Sequence, residues 1–202
     1  MELDHRQLST IIAYATNSSD LLPTDLSAQC LNLNSTAFVF QLNNVLRGQV
    51  DIMGVENYCS VLDSCFEQNG SLKPSYVYRV CNYKEMLRYL TDTNYVDFGY
   101  ISTSTNIEKA YGFFELPKAG YEPALLKIKL SQNTSTLVFD ETIGTSNGNY
   151  ESEVLIKRRS WFSVNMAGKM SKTRLFELVE NPGIFIPEYS HYIEMDFISH
   201  LP

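Results

Sequence analysis

Histidine, basic residues and long apolar runs are all scarce in this chain, and each scarcity removes a class of function. There are three histidines (His5, His191, His200) and four cysteines (Cys30, Cys59, Cys65, Cys81), and neither set shows paired metal-ligand spacing. No zinc pattern can be drawn from them, and no metal is expected. Isolated cysteines of this kind read as small buried hydrophobes, and nothing demands a disulfide. Lys and Arg number 16 against 23 Asp and Glu, a formal charge of −7. That argues against nucleic acid as a partner, because phosphate binding runs on counterion release by basic residues. No apolar run reaches the roughly 18 residues of a membrane span. The N-terminus lacks a basic start followed by a continuous apolar core, so no Sec signal peptide is expected. Internal repeats and low-complexity tracts are also missing. The expectation is a soluble protein that, if exported, leaves by a route without a cleaved signal.

What is present points to a folded α+β protein. Apolar residues make up 44% and charged residues 19%, proportions of a globular chain and not a disordered one. Thirteen Tyr and 11 Phe against a single Trp favour a core containing β-strands, where aromatics fit the pleated surface. A length of 202 residues allows one sizeable domain, or one domain with a helical appendage.

The first third has helical texture. From Asp4 to Tyr14 the apolar positions Leu8, Ile11, Ile12 and Ala15 follow helical spacing. Pro23 and Thr24 start a second helix that carries Leu26, Cys30, Leu31 and Leu33, with Thr24 as cap. A third pattern runs from Ser35 to Leu46 and stops at Arg47-Gly48. A fourth covers Val55 to Phe66, with Glu56, Asp63 and Glu67 reading as a solvated face, before Asn69-Gly70 and Pro74 break the chain. The expected division is a helical region over residues 1–74 and a strand-rich core over 75–202.

At Ser75 the texture changes. Ser75 to Cys81 is aromatic and β-branched and reads as a strand, with Arg79 inside it. A guanidinium among apolar neighbours must have acceptors, either a carboxylate or carbonyl of the protein or an anionic ligand. A helix capped by Asn82 is expected to run to Thr91. Phe98 to Thr105 reads as a strand ending in the hydroxyl run Ser102-Thr103-Ser104-Thr105, which suits the start of a helix at Asn106. Further strands are expected over 124–130, 136–139, 160–166, 173–180 and 192–197.

Between them lies the most informative stretch, Glu151-Ser152-Glu153-Val154-Leu155-Ile156, behind a loop from Asp140 to Asn149. Side chains at i and i+2 of a strand share a face, about 7 Å apart at Cα. A strand opening in Glu-x-Glu presents two carboxylates side by side, although like charges so placed repel. Taken alone, this is a solvated strand end. It is not a glycosidase pair, because those carboxyl groups straddle the sugar bond instead of sharing one face.

A strand with an inward arginine, a strand ending in Ser-x-Ser and a glutamate strand behind a loop, in that order, resemble the mono-ADP-ribosyltransferases of the arginine–serine–glutamate type. The matching residues are Arg79, Tyr100 to Ser104, and Glu151 to Leu155, and the resemblance spans Ser75 to Glu180. It implies two roughly perpendicular mixed sheets around an NAD cleft, with flanking helices. It also implies cleavage of the N-glycosidic bond of NAD and transfer of ADP-ribose to a protein side chain. Arg79 would meet a phosphate oxygen, and Ser102 would hold the catalytic carboxylate. Glu153 would bind the ribose 2′-hydroxyl and stabilise the oxocarbenium-like charge. Glu151 would orient the acceptor, which a glutamate at that position makes arginine. The NAD site would further include Val80, Thr103, Ser104 and Phe113 or Phe114, either phenylalanine stacking on nicotinamide or packing in the core. Val80 stands where many members carry glycine, a departure that backbone contacts tolerate.

The resemblance makes NAD a co-substrate and a protein the target, with the chain acting as a monomer in the manner of a bacterial toxin or effector. Other readings on the same fold are NAD glycohydrolysis, a non-arginine acceptor such as threonine, or a binding module that no longer turns over.

Overall fold

Asp4 opens the first helix with a reciprocal cap, its carboxylate accepting from the Gln7 backbone N–H at 2.8 Å while its own N–H donates to Gln7 Oε1 at 3.1 Å. The helix it starts, α1, spans His5–Ala15. Pro23 precedes α2 (Thr24–Gln29), so Thr24 is the first helical residue and not the cap, and the Pro23 carbonyl takes the N–H groups of Leu26 and Ser27. Helix α3 (Phe38–Leu46) ends through Arg47 into Gly48, whose φ of +67° makes the left-handed turn that glycine adopts at least cost. Helix α4 spans Glu56–Gln68. The structure, a computed structural model, describes residues 3–29, 33, 37–51, 54–68, 74–112, 121–139, 153–178 and 187–202.

The remaining elements are β1 (Tyr76–Asn82), α5 (Tyr83–Met86), β2 (Asn94–Asp97), β3 (Ile101–Ser104), α6 (Ile107–Gly112), β4 (Pro123–Lys129), β5 (Thr136–Val138), β6 (Glu153–Ile156), β7 (Ser160–Ser171), α7 (Lys172–Leu178) and β8 (Tyr189–His200). The strands lie in the order β2-β7-β8-β4-β1-β3-β6-β5, with β4 and β8 parallel and the other pairs antiparallel, so the sheet is mixed. Hydrogen bonding joins all eight strands into one sheet where two are expected. The join is narrow: β1 pairs with β4 along its full length but meets β3 at Tyr78↔Ser104 alone.

Alternation along β6 places its side chains on two faces. Val154 and Ile156 enter a core with Val77, Leu126, Ile128, Phe162 and Ile193. Leu155 turns the other way and packs with Tyr100 and Leu137 against Ile11, Leu26, Phe38, Leu42, Tyr58 and Leu62 of the helices. The helical region thus covers one face of the β3–β6–β5 strands, and Glu153, two residues before Leu155, shares that covered face.

Several elements differ from the sequence expectation. Helix α5 is one turn long, because the chain turns tightly at Thr91, whose N–H donates to the Asn94 carbonyl at 2.7 Å, and enters the unexpected strand β2. Residues 172–178 are helical and not a strand. Leu175 alone is buried there while Phe176 and Leu178 stay exposed, and Ser171 Oγ accepts from the Arg174 N–H at the helix start. Strands β7 and β8 each run 12 residues, longer than their apolar cores, because they pair with one another as a long ribbon. Asp63 is no solvated charge, since it accepts from Tyr100 Oη at 2.8 Å and from Arg158 Nε at 2.9 Å. Glu56 does project into solvent, and the side chain of Glu67 lies outside the described residues.

Candidate active site

Helices α1 and α3 face strands β1, β3 and β6 across a cleft of about 330 Å³, which lies within the ordinary size of a small-molecule site. Arg79, Val80, Ser102, Thr103, Ser104 and Glu153 all line it, so residues spread over 75 positions of sequence converge on one cavity. Glu151, Phe113 and Phe114 lie outside the described residues.

Arg79 finds a partner for part of its guanidinium inside the protein. Its Nη1 donates to the Ser102 carbonyl at 2.9 Å, and among the described residues no carboxylate forms an ion pair with it. The carbonyl reading of its neighbours is therefore met for one donor, and the side chain also lines the cleft.

The antiparallel register sets the hydroxyl groups against the carboxylate. Ser104 lies opposite Glu153, Thr103 opposite Val154 and Ser102 opposite Leu155, which makes Ser102 the diagonal neighbour of Glu153 on the same face. Thr103 Oγ1 donates to the Val154 carbonyl across the pair. Ser104 Oγ accepts from the Asn106 N–H at 3.0 Å, and Asn106 Oδ1 in turn accepts from Glu108 N at 2.7 Å and Lys109 N at 3.2 Å. The cap of α6 is thus Asn106, and the hydroxyl run lies one turn earlier. Glu153 is 8% exposed, a carboxylate almost withdrawn from water at the end of an apolar strand.

Sequence reasoning missed the opposite wall. Tyr14, Asn43 and Arg47 line the cleft from α1 and the end of α3. Asn43 is buried and uses both ends of its amide: Oδ1 accepts from the Tyr100 N–H at 2.8 Å, and Nδ2 donates to Tyr14 Oη at 3.1 Å. Burial pushes the Tyr14 phenol up to about 12, and the Glu153 carboxylate acts in the same direction, so Tyr14 stays neutral at the cleft. Arg47 forms a bidentate pair with Asp97, Nε to Oδ1 at 2.8 Å and Nη2 to Oδ2 at 3.0 Å. Burial opposes its charge, yet Asp97 beside it outweighs that and holds the guanidinium protonated, above its ordinary value. The one signal in the sequence was an Asn and an Arg at i and i+4 on an apolar helix.

Two guanidinium groups and a withdrawn carboxylate in one cleft can hold an anion and stabilise developing positive charge close by. Among the described residues no group of His, Cys, Asp and Glu is arranged to hold a metal, and no helix is long and apolar enough to cross a membrane.

Solved structures with this architecture include the Vis toxin, an ADP-ribosyltransferase from Vibrio splendidus, at 17% identity over 98% of this chain and 88% of that one, TM-score 0.56. The Salmonella SpvB ATR domain aligns at 14% identity over 97% of this chain and 100% of its own, TM-score 0.63. The catalytic domain of VahC from Aeromonas hydrophila aligns at 16% identity over 97% and 100%, TM-score 0.54. At such identities the likeness is one of fold. No curated protein sequence matches the chain. The model of the ADP-ribosyltransferase exoenzyme family matches residues 36–181, a span that takes in α3, the hydroxyl strand and the glutamate strand. With well over half its length matched, the chain belongs to the ADP-ribosyltransferase exoenzyme family.

Proposed function

We propose that the cleft binds NAD and that the chain, an arginine-directed enzyme of the arginine–serine–glutamate type, transfers ADP-ribose to an arginine of a protein target. The observation that carries this reading is the convergence of Arg79, Ser102 and Glu153 on a single cleft. Arg79 and Arg47 supply cations for the pyrophosphate. Glu153 accepts from the 2′-hydroxyl of the nicotinamide ribose, and its charge favours the oxocarbenium-like state as the C1′–N bond breaks and nicotinamide leaves with the electron pair. Ser102, diagonal to Glu153, holds the carboxylate rotamer.

The acceptor assignment rests on Glu151. Glu151 precedes Glu153 by two residues, the spacing that sets side chains on one face of a strand, and a second carboxylate so placed would pair with a guanidinium. It cannot deprotonate free guanidinium outright, since the pKa values are about 4 and above 12. Proton loss accompanies formation of the new N–C1′ bond. Agmatine, present in one structure of the Vis toxin, is itself a guanidinium compound and supports a guanidinium acceptor here.

The test is incubation with labelled NAD and a cell lysate, comparing the parent chain with Glu153→Ala and Glu151→Gln. Label on a protein band with the parent only, and nicotinamide release that survives in Glu151→Gln while transfer falls, are the expected results. Equal labelling with Glu153→Ala would falsify the catalytic assignment, and undiminished transfer with Glu151→Gln would remove Glu151 as the acceptor-orienting group.

A further inference from the structure

Asp97 stands behind the cleft and does not line it. It is 1% exposed, at the end of β2, and its two oxygens accept four hydrogen bonds. Oδ1 takes Arg47 Nε at 2.8 Å and the Gly99 N–H at 2.9 Å, while Oδ2 takes Arg47 Nη2 at 3.0 Å and Tyr95 Oη at 2.7 Å. The two bonds to Arg47 occupy one edge of the guanidinium, and Nη1 makes no hydrogen bond among the described residues. Arg47 lines the cleft on one side and, on the other, a small cavity of about 40 Å³ that Asp97 also lines.

A bidentate carboxylate fixes the plane of a guanidinium as well as its charge. A buried pair of this kind is seldom the most stabilising filling for its space, because desolvation offsets most of the attraction. Here the pair fixes the guanidinium of Arg47, the residue that ends α3, at the cleft that this side chain lines. The contact to Gly99 N–H fixes the carboxylate to the segment entering β3, so the same group sets the guanidinium relative to the strand bearing Ser102. We propose that Asp97 is a positioning residue for anion binding, acting through Arg47 to hold a donor at the pyrophosphate position of the cleft; this rests on the NAD-binding reading above.

The test is calorimetric titration of the full chain with NAD, at a temperature where circular dichroism shows each variant folded. Asp97→Asn keeps the shape and loses the charge, and we expect NAD binding to weaken about tenfold, the scale of one lost charge-assisted contact. In an Arg47→Gln background the same substitution should change the dissociation constant by less than about twofold, because two residues acting as one unit are non-additive. A merely structural role would lower stability in both backgrounds and leave the affinity ratio unchanged. Should Asp97→Asn not fold, Tyr95→Phe removes one donor to Oδ2 and should weaken binding about two- to threefold with the same dependence on Arg47. Unchanged affinity in the variant tested, or an effect that adds in full to Arg47→Gln, overturns the inference while leaving the NAD reading intact. A parent chain with no affinity for NAD overturns both.

Discussion

Arg79 and Ser102 are tied together by a hydrogen bond of 2.9 Å from the guanidinium Nη1 to the backbone carbonyl. Their strands share only one paired position, so this side-chain bond is a second tie across the junction. Lysine at position 79 keeps a charge but lacks the planar fork that reaches a carbonyl and an anion at once. Arg79→Lys is expected to lower kcat/KM for NAD by about 10- to 100-fold, the equivalent of about 1.5–3 kcal/mol for a charged hydrogen bond. Nicotinamide release against NAD concentration measures it.

Tyr100 anchors the root of β3 to the helical region. Its hydroxyl lies 2.8 Å from Asp63 Oδ1 and 3.2 Å from the Cys59 carbonyl, and the second oxygen of Asp63 takes Arg158 just beyond β6. Tyr100→Phe removes the bond and keeps the ring that packs against Tyr14 and Phe66. The expected cost is about 1–2 kcal/mol, because the half-buried Asp63 is left with one donor fewer. It should appear as a lower urea midpoint with an unchanged m-value.

A methyl group at position 99 has nowhere to go. A Cβ there would meet Asn43 Oδ1 at 2.7 Å and Arg47 Cζ at 3.2 Å. Both atoms end side chains that are pinned, Asn43 by Tyr100 and Tyr14, Arg47 by Asp97. Gly99→Ala should destabilise by about 1–3 kcal/mol, the usual cost of overpacking, with a matching fall in melting temperature.

Burial pushes the thiols of Cys59 and Cys65 up to about 12. Neither therefore carries thiolate at pH 8, and iodoacetamide should leave both unmodified in the native chain and alkylate both in denaturant. Intact-mass and peptide measurements before and after unfolding decide it.

Glu194 is held below the ordinary carboxylate range, first by the Tyr192 hydroxyl and then by Lys127 at 3.3 Å. A depressed folded-state value means that its stabilisation is complete above the unfolded carboxyl value of about 4.3 and is lost as pH falls through the folded value. The acid limb of stability against pH should therefore be shallower in Glu194→Gln, as measured by urea unfolding from pH 6 to pH 3.

The order of Arg79, the hydroxyl run and Glu153 was legible because each sits in a strand whose local pattern is strong. Strand alternation pairs Glu153 with Leu155 on one face, and which face the helices cover is seen only in three dimensions. The covering wall was not legible. Asn43 reaches a partner 57 residues away and Arg47 one 50 residues away, and an amphipathic helix gives the same sequence signal whether its polar residues meet solvent or another strand. Asp63 failed for the same reason. Helix α7 was misread because Leu175, Phe176 and Leu178 satisfy a strand and a one-turn-deep helix equally well, and the exposure of two of them settles the matter only in three dimensions.

The single pair Tyr78↔Ser104 divides the sheet into a five-strand plate carrying Arg79 and a three-strand plate carrying Glu153. A molecule that touches both residues is therefore a staple across the seam. Occupancy should slow hydrogen exchange on either side of the seam far more than within either plate, and the enzyme should be at its stiffest while its substrate is bound. In the reading proposed above both residues hold the ADP-ribosyl part, so the staple outlasts the departure of nicotinamide, and the seam regains its freedom only when ADP-ribose leaves with its acceptor.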